Sequence, residues 1–150
     1  MFSKITLTRL IAVTGALSVF GGCSTVTRLE SADPGTTLAI KGIDRTELPR
    51  SEDLKSKATG QYEFMATTPA GQKLYGLLPL KVNGGTMAAS ILLFAPALFI
   101  GGFRDVFPFY QVDPDKNVLR YKMAETDEWR QYQPLAAEAK RSKEYFDTLK

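Results

Sequence analysis

The chain has 150 residues, with 19 lysines and arginines, 16 aspartates and glutamates, and no histidine. The lack of histidine excludes the most common general base and the most common metal ligand. A single cysteine excludes an internal disulfide and a multi-cysteine metal site. The basic residues form no patch of the kind that nucleic acids require, so nucleic-acid binding is not expected.

The first 22 residues have the composition of a secretory signal peptide. Lys4 and Arg9 are followed by a short apolar run over residues 10–20, and two glycines precede Cys23. The run is shorter than the roughly 20 apolar residues that a membrane-spanning helix needs. Without this segment, 128 residues remain with 17 basic and 16 acidic side chains, a net charge of +1, which is enough chain for one domain.

The segment Phe20-Gly21-Gly22-Cys23 resembles the lipobox of bacterial lipoproteins, although leucine is the usual residue at the position of Phe20. The resemblance implies that the Cys23 sulfur receives a diacylglyceryl group and that membrane lipid is therefore a partner. Ser24 rather than aspartate after the cysteine implies sorting to the outer membrane, facing the periplasm, rather than to the inner membrane. A simple secretory signal with an accidental cysteine, or an uncleaved anchor, are the alternatives.

The remaining chain predicts a short tether followed by a single β-rich domain. Residues 23–33 are polar without a clear period, which predicts a tether between the acylated Cys23 and the domain over residues 34–150. Residues 36–41 are rich in β-branched and apolar side chains, which favours a strand. Residues 60–67 alternate as a strand does, with Tyr62, Phe64 and Ala66 on one face. Further strands are expected within residues 51–57 and 72–80.

Turn residues bracket the two clearest strands. Pro34-Gly35 and Gly42 flank the first, and Gly60 and Pro69-Ala70-Gly71 flank the second. These segments resemble the PEGA-type modules of bacterial surface proteins, which are small β-sandwich repeats. The resemblance covers about a third of the chain and lacks the central Gly-x-Thr-Pro of the family, for which Glu47-Leu48-Pro49 is the only counterpart. It implies a binding or spacer module without catalytic residues.

An uncharged stretch runs from Val82 to Phe103. Its most apolar part, residues 87–103, has 17 residues, at the lower limit for spanning a bilayer. Pro96 removes a helical hydrogen bond and predicts a kink or two short segments. Three interpretations remain open, namely a buried central element, a segment that lies on or dips into the membrane, and a spanning helix.

The last third of the chain predicts a hairpin, a further strand and a helix. Residues 106–112 and 118–123 flank the turn-forming residues 113–117, and Pro108 suggests that the first strand lies at an edge or a bulge. The spacing of Asp113 and Asp115 favours a plain turn over a calcium loop, which needs more oxygen ligands and a glycine. Residues 126–132 are expected to form a strand with Trp129 pointing inward.

An amphipathic helix is predicted over residues 134–149, beginning at a proline. Its apolar stripe consists of Leu135, Ala139, Ser142, Phe146 and Leu149. We expect this stripe to dock on the β domain, with presentation to a partner protein as the alternative.

These patterns together predict an α+β fold, with a small sandwich-like β-rich domain, a central apolar segment and a C-terminal helix. The predicted function is that of a non-catalytic, membrane-anchored envelope lipoprotein, a binding, spacer or accessory subunit with a possible envelope protein partner. The alternative is a membrane-active protein that uses residues 87–103. No enzyme activity, cofactor or metal is expected, although Glu63 and Asp105 are acids of the type that glycoside hydrolysis uses. Cys23 is the one predicted functional residue, and its role is attachment.

Overall fold

The computed structural model describes residues 24–57, 59–82 and 104–149. Cys23, the preceding signal segment and the apolar residues 87–103 lie outside the described residues. Within these ranges the chain forms eleven strands and one helix. The elements are β1 (Ser24–Ser31), β2 (Thr37–Ile40), β3 (Ile43–Glu47), β4 (Arg50–Lys55), β5 (Glu63–Thr67), β6 (Lys73–Leu77), β7 (Leu80–Val82), β8 (Arg104–Val106), β9 (Phe109–Asp113), β10 (Val118–Lys122), β11 (Arg130–Tyr132) and α1 (Ala136–Asp147).

The strands build two main sheets and one short pair. The order in the five-stranded sheet is β11-β10-β9-β1-β4, the order in the four-stranded sheet is β3-β2-β5-β6, and β7 pairs with β8. All neighbours are antiparallel except β1 and β9. Side chains from both main sheets share one apolar core, which includes Leu29, Leu54 and Leu119 from one sheet and Leu38 and Phe64 from the other. The prediction of a small β-rich α+β fold is therefore confirmed.

The first described residues form a strand, so the tether predicted over residues 23–33 is wrong for its described part. β1 lies inside the larger sheet between β4 and β9, and the Ala32 N–H extends the pairing to the Val112 carbonyl. Its inward side carries Thr27 and Leu29, both buried. The Thr27 hydroxyl is satisfied by the Phe107 carbonyl at 3.1 Å. Because Thr27 points inward and Val26 points outward, β1 lacks the alternation of apolar inward and polar outward residues from which a strand is predicted.

β5 confirms the predicted alternation and adds a second buried side. Phe64 and Ala66 are completely buried in the main core, and Tyr62, just before the strand, lies beside them. Glu63 and Met65 on the opposite side are buried as well, because α1 packs over β5 and β6.

The C-terminal helix docks on the sheet, as expected, through the middle of its stripe only. Ser142 and Phe146 are buried, and the Ser142 hydroxyl donates a hydrogen bond to the Phe64 carbonyl at 2.7 Å. Leu135 and Leu149, at the two ends of the predicted stripe, are 66% and 65% exposed. Both lie outside α1, so the helical period does not place their side chains on its buried face.

The β9–β10 hairpin has the predicted turn. The Asp113 carboxylate accepts the Lys116 backbone N–H at 3.1 Å and is neutralised by the Lys116 and Arg120 side chains, as in a plain turn. Asn117 adopts a left-handed φ of 54°, which asparagine tolerates well. The edge position inferred from Pro108 is wrong, since Pro108 precedes β9 and β9 lies between β1 and β10.

The strand predicted over residues 126–132 is shorter than expected. β11 covers only Arg130–Tyr132. Trp129 precedes it and is half-buried, with the Lys122 ammonium 4.6 Å from its ring centroid. Its ring therefore packs under a lysine side chain at the sheet surface rather than in the core.

Candidate functional site

The predicted attachment residue, Cys23, lies directly before the first described residue, Ser24. The surroundings of Ser24 therefore define the part of the domain nearest to the predicted lipid. Ser24 pairs with Lys55 at the end of β4, which puts the two Cα atoms about 5 Å apart. Because strands rise by about 3.3 Å per residue, Lys57 lies only about 7 Å further along.

Val82 and Arg104, the residues that flank the stretch 83–103, lie beside Lys57 at the end of β4. The Lys57 and Arg104 backbones exchange two hydrogen bonds, of 2.8 and 3.2 Å, and Arg104 in turn pairs with Val82. β8 also contacts both β1 and β4. Three positions that are far apart in sequence thus meet at one end of the fold. We call this group the entry end, and it consists of Ser24, Lys55, Lys57, Lys81, Val82 and Arg104.

Tyr62 holds the β4 side of the entry end in place. Its hydroxyl donates to the Lys55 carbonyl at 2.9 Å, and the Lys57 ammonium lies 4.1 Å from its ring centroid. Burial raises the pKa of the Tyr62 hydroxyl, and the charge of Asp53 adds to the rise although the Lys55 carbonyl opposes it. The phenol therefore stays neutral and keeps its proton for the Lys55 carbonyl.

Tyr110 and Asp105 hold the β7–β8 side. The Tyr110 hydroxyl donates to the Pro79 carbonyl at 2.5 Å and accepts the Phe107 N–H at 2.9 Å. Burial raises the pKa of Tyr110 far above its ordinary value. Asp105 is buried and accepts a hydrogen bond from the Ser56 hydroxyl. These contacts join the segments that precede and follow residues 83–103 to the rest of the domain.

The entry end is positively charged. Lys55 is exposed, and Lys57, Lys81 and Arg104 are half-exposed. None of the ion pairs between described residues includes Lys55, Lys57 or Lys81. The Arg104 guanidinium donates to the Gly60 carbonyl at 2.7 Å, which fixes its position. Val82 adds an apolar side chain that is 59% exposed.

A second buried carboxylate, Glu63, joins the helix to the sheet. One of its oxygens accepts two hydrogen bonds from Arg141, at 2.8 and 3.0 Å, and the Lys41 ammonium lies 3.4 Å from the other. Burial raises the pKa of Glu63. A backbone hydrogen bond and the charges of Arg141 and Lys41 outweigh burial, so the net pKa is lowered.

The two acids named by the sequence lie in different sheets and have different partners. Glu63 lies in the four-stranded sheet and Asp105 in the β7–β8 pair. A general acid needs a raised pKa, whereas that of Glu63 is lowered. Among the described residues, no group of three or more acidic or cysteine side chains is placed to hold a metal ion.

Comparison with known protein families, curated proteins and solved structures gives no match to this chain. In the part of the chain that the structure describes, the helix is too short and too polar to cross a membrane.

Proposed function

We propose that this protein is a non-catalytic envelope lipoprotein, held by an acylated Cys23 at the periplasmic face of the outer membrane, and acts there as a binding, spacer or accessory subunit. The observation that carries the proposal is the position of β1. This interior strand begins at Ser24, one residue after the cysteine of the lipobox-like segment. A lipid on Cys23 would therefore be attached next to the folded sheet, since one residue spans at most about 3.6 Å.

Attachment next to the sheet has a physical consequence for orientation. Each buried methylene of an acyl chain contributes roughly 0.8 kcal/mol, and two or more chains hold a protein firmly. With so little chain between lipid and domain, the entry end is the part of the domain that meets the headgroups. The opposite end, which carries the turn at residues 69–71, lies about 23 Å away along the length of β1.

The contacts of the buried polar side chains support a non-catalytic role. Glu63 is engaged by Arg141 and Lys41, Asp113 by Lys116 and Arg120. These charges stabilise the fold, each against a defined partner. A general acid or base would need an accessible side chain with its pKa near the working pH.

The intact mass of the protein purified from its native host tests the proposal. We expect a chain that starts at Cys23 and carries the added mass of a diacylglyceryl group. A Cys23→Ala variant should lack this mass and should no longer sediment with the membrane by virtue of a lipid. An unmodified mass or an uncut N-terminus in the unaltered protein would overturn the proposal.

A second function, that of a membrane-active protein, is favoured by one specific observation. Val82 and Arg104 flank the uncharged stretch and belong to the same entry end as Ser24. A membrane at the entry end would therefore lie where residues 83–103 leave and rejoin the described fold. If this second function holds, Cys23→Ala protein should still resist extraction from membranes by alkaline carbonate, and adding Leu93→Lys should release it.

A further inference from the structure

We propose that the entry end binds the headgroups of anionic phospholipids through Lys55, Lys57, Lys81 and Arg104. This inference rests on the proposed function, because that function puts the entry end at the membrane surface. It adds an electrostatic contact to the covalent lipid and names the class of lipid that the domain prefers.

The cations come together through strand pairing. Lys57 lies opposite Arg104, and Arg104 lies opposite Val82 on its other side. Directly opposed residues project to the same side of a sheet, so two cations and an exposed valine form one row. Lys55 lies two residues before Lys57 and opposite Ser24. Lys81 lies opposite Asp105 and therefore projects to the other side of the β7–β8 pair at the same end.

The lysines of the entry end are better placed to bind a phosphate group from outside than an acidic side chain of the domain. Lys55, Lys57 and Lys81 form no ion pair with a described acidic side chain, so no such side chain neutralises their charges. The neighbouring carboxylate of Asp105 is buried and accepts a hydrogen bond from Ser56, whereas Asp53 is the exposed acid nearest on β4. The three lysines therefore remain available to bind phosphate at this end.

The exposed apolar side chains support a lipid surface as the partner. Val82 is 59% exposed within the entry end, and Val26, two residues after Ser24, is 69% exposed. Basic side chains mixed with apolar ones suit the boundary between headgroups and acyl chains, where long lysine stems lie along apolar material and the ammonium reaches the phosphate.

Partitioning of the full chain carrying Cys23→Ala onto vesicles tests this inference. Vesicles of phosphatidylcholine alone are compared with vesicles in which part of the lipid is phosphatidylglycerol. The ratio of the two partition coefficients isolates the electrostatic part, because apolar segments contribute equally to both. We expect strong preference for the anionic vesicles, falling steeply as salt is raised, since screening shortens the range of these charges.

The variant that tests the site is Lys55→Gln/Lys81→Gln, which leaves the contacts of Lys57 and Arg104 intact. Each basic residue near an anionic surface contributes enough that removing two should lower the preference about tenfold or more. The matched control is Lys73→Gln/Lys143→Gln, which makes the same change in net charge at two exposed residues outside the entry end. It should keep the preference within about twofold. Circular dichroism of each variant confirms that it is folded.

Equal binding to both kinds of vesicle, or equal loss in both double variants, would overturn the inference. Lys55→Glu/Lys81→Glu gives an independent check, because charge reversal should abolish the preference altogether. These outcomes are separate from those of the mass measurement, since the vesicle assay uses a protein without lipid. An anchored protein whose domain ignores lipid charge would keep the proposed function and lose this inference.

Discussion

Glu63 is the residue on which the contact between sheet and helix most depends. It is 2% exposed, yet it stays charged because Arg141 and Lys41 approach it from the helix and from β2–β3. A buried carboxylate of this kind is stabilising only while it is ionised and both partners are present. Its contribution to folding must therefore depend on pH.

The Glu63→Gln variant tests this dependence. The folded-state pKa of Glu63 lies below its ordinary value of 4.5, so its contribution is complete above that pH and is lost as the pH falls through the folded-state pKa. At pH 7 we expect the variant to lose about 1–3 kcal/mol of the free energy of unfolding. The difference from the unaltered protein should shrink at pH 3, as urea unfolding at both pH values will show.

Glu47→Gln is the matched control, because Glu47 is exposed and the change in net charge is the same. It should alter the free energy of unfolding by less than about 0.5 kcal/mol at either pH. A Glu63→Gln effect that is equally large at pH 3 and pH 7 would show that the ionised carboxylate is not the source of the stability.

At the scale of elements, β1 is the strand that would connect the domain to the proposed N-terminal anchor. This strand has one buried side, which carries Leu29, and one exposed side, which carries Val26. If β1 is part of the sheet, Leu29→Ala should cost about 2–5 kcal/mol of the free energy of unfolding through lost burial and a cavity. Val26→Ala should cost less than about 1 kcal/mol, and chemical denaturation measures both.

The comparison separates the strand from a tether. In a tether neither side chain would be buried, and both substitutions would leave stability unchanged. Near-equal, small effects of Leu29→Ala and Val26→Ala would therefore contradict the observed sheet.

The helix α1 permits a similar comparison within a single predicted stripe. Phe146 is buried against Ala39 and Met65, whereas Leu149 is largely exposed. Phe146→Ala should lower the free energy of unfolding by about 3 kcal/mol and Leu149→Ala by less than about 0.5 kcal/mol. Thermal unfolding followed by circular dichroism will show whether the stripe is buried only at its centre.

The close packing of Gly76 against the segment that leads into α1 explains why this position holds a glycine. A Cβ at Gly76 would lie 2.8 Å from Cγ of Pro134 and 2.9 Å from Cε1 of Phe64. Gly76→Ala should therefore cost about 1–3 kcal/mol through overpacking. Part of that loss should be recovered in Gly76→Ala/Pro134→Ala, as a double-mutant cycle of unfolding free energies will test.

Local patterns in the sequence predict the strands around residues 36–41 and 60–67, the turn at residues 113–117 and the helix. Their signals lie in alternation, turn residues and helical period, which are read within about ten residues. β1 was not predicted as a strand, because Thr27 occupies an inward position and its hydrogen-bond acceptor, the Phe107 carbonyl, is 80 residues away in the chain. The shorter hydrogen bond of the buried hydroxyl is this distant one, so no local pattern reveals that the side chain can be buried.

The same limit applies to the candidate site. The assignment of Cys23 stays a prediction, and it could be made because the lipobox-like residues are contiguous in the sequence. The cations of the entry end come from β7, from β8, from the end of β4 and from the residues just after β4. They are brought together by the pairing of Lys57 with Arg104 and of Arg104 with Val82, which the sequence does not reveal. Each lysine alone resembles any solvated lysine of a polar surface.

At the scale of the whole molecule, the described domain has two different ends. The entry end combines Ser24, four cations and Val82. The opposite end is formed by turns, including residues 69–71 and 113–117, which the Gln72 side chain joins through a 3.0 Å hydrogen bond to the Pro114 carbonyl. Under the proposed function, an anchor at the first end would direct the second into the periplasm, where a partner protein of the envelope would meet it.

Accessibility of single cysteines in the lipidated protein, reconstituted in liposomes, tests this orientation most directly. Val82→Cys and Ala70→Cys place a thiol at an exposed position of each end, and the acylated Cys23 does not react. With a water-soluble maleimide, we predict that Val82→Cys is protected in liposomes and reacts in detergent, whereas Ala70→Cys reacts in both. Equal labelling of the two thiols in liposomes would contradict the account, because the entry end would then not face the membrane.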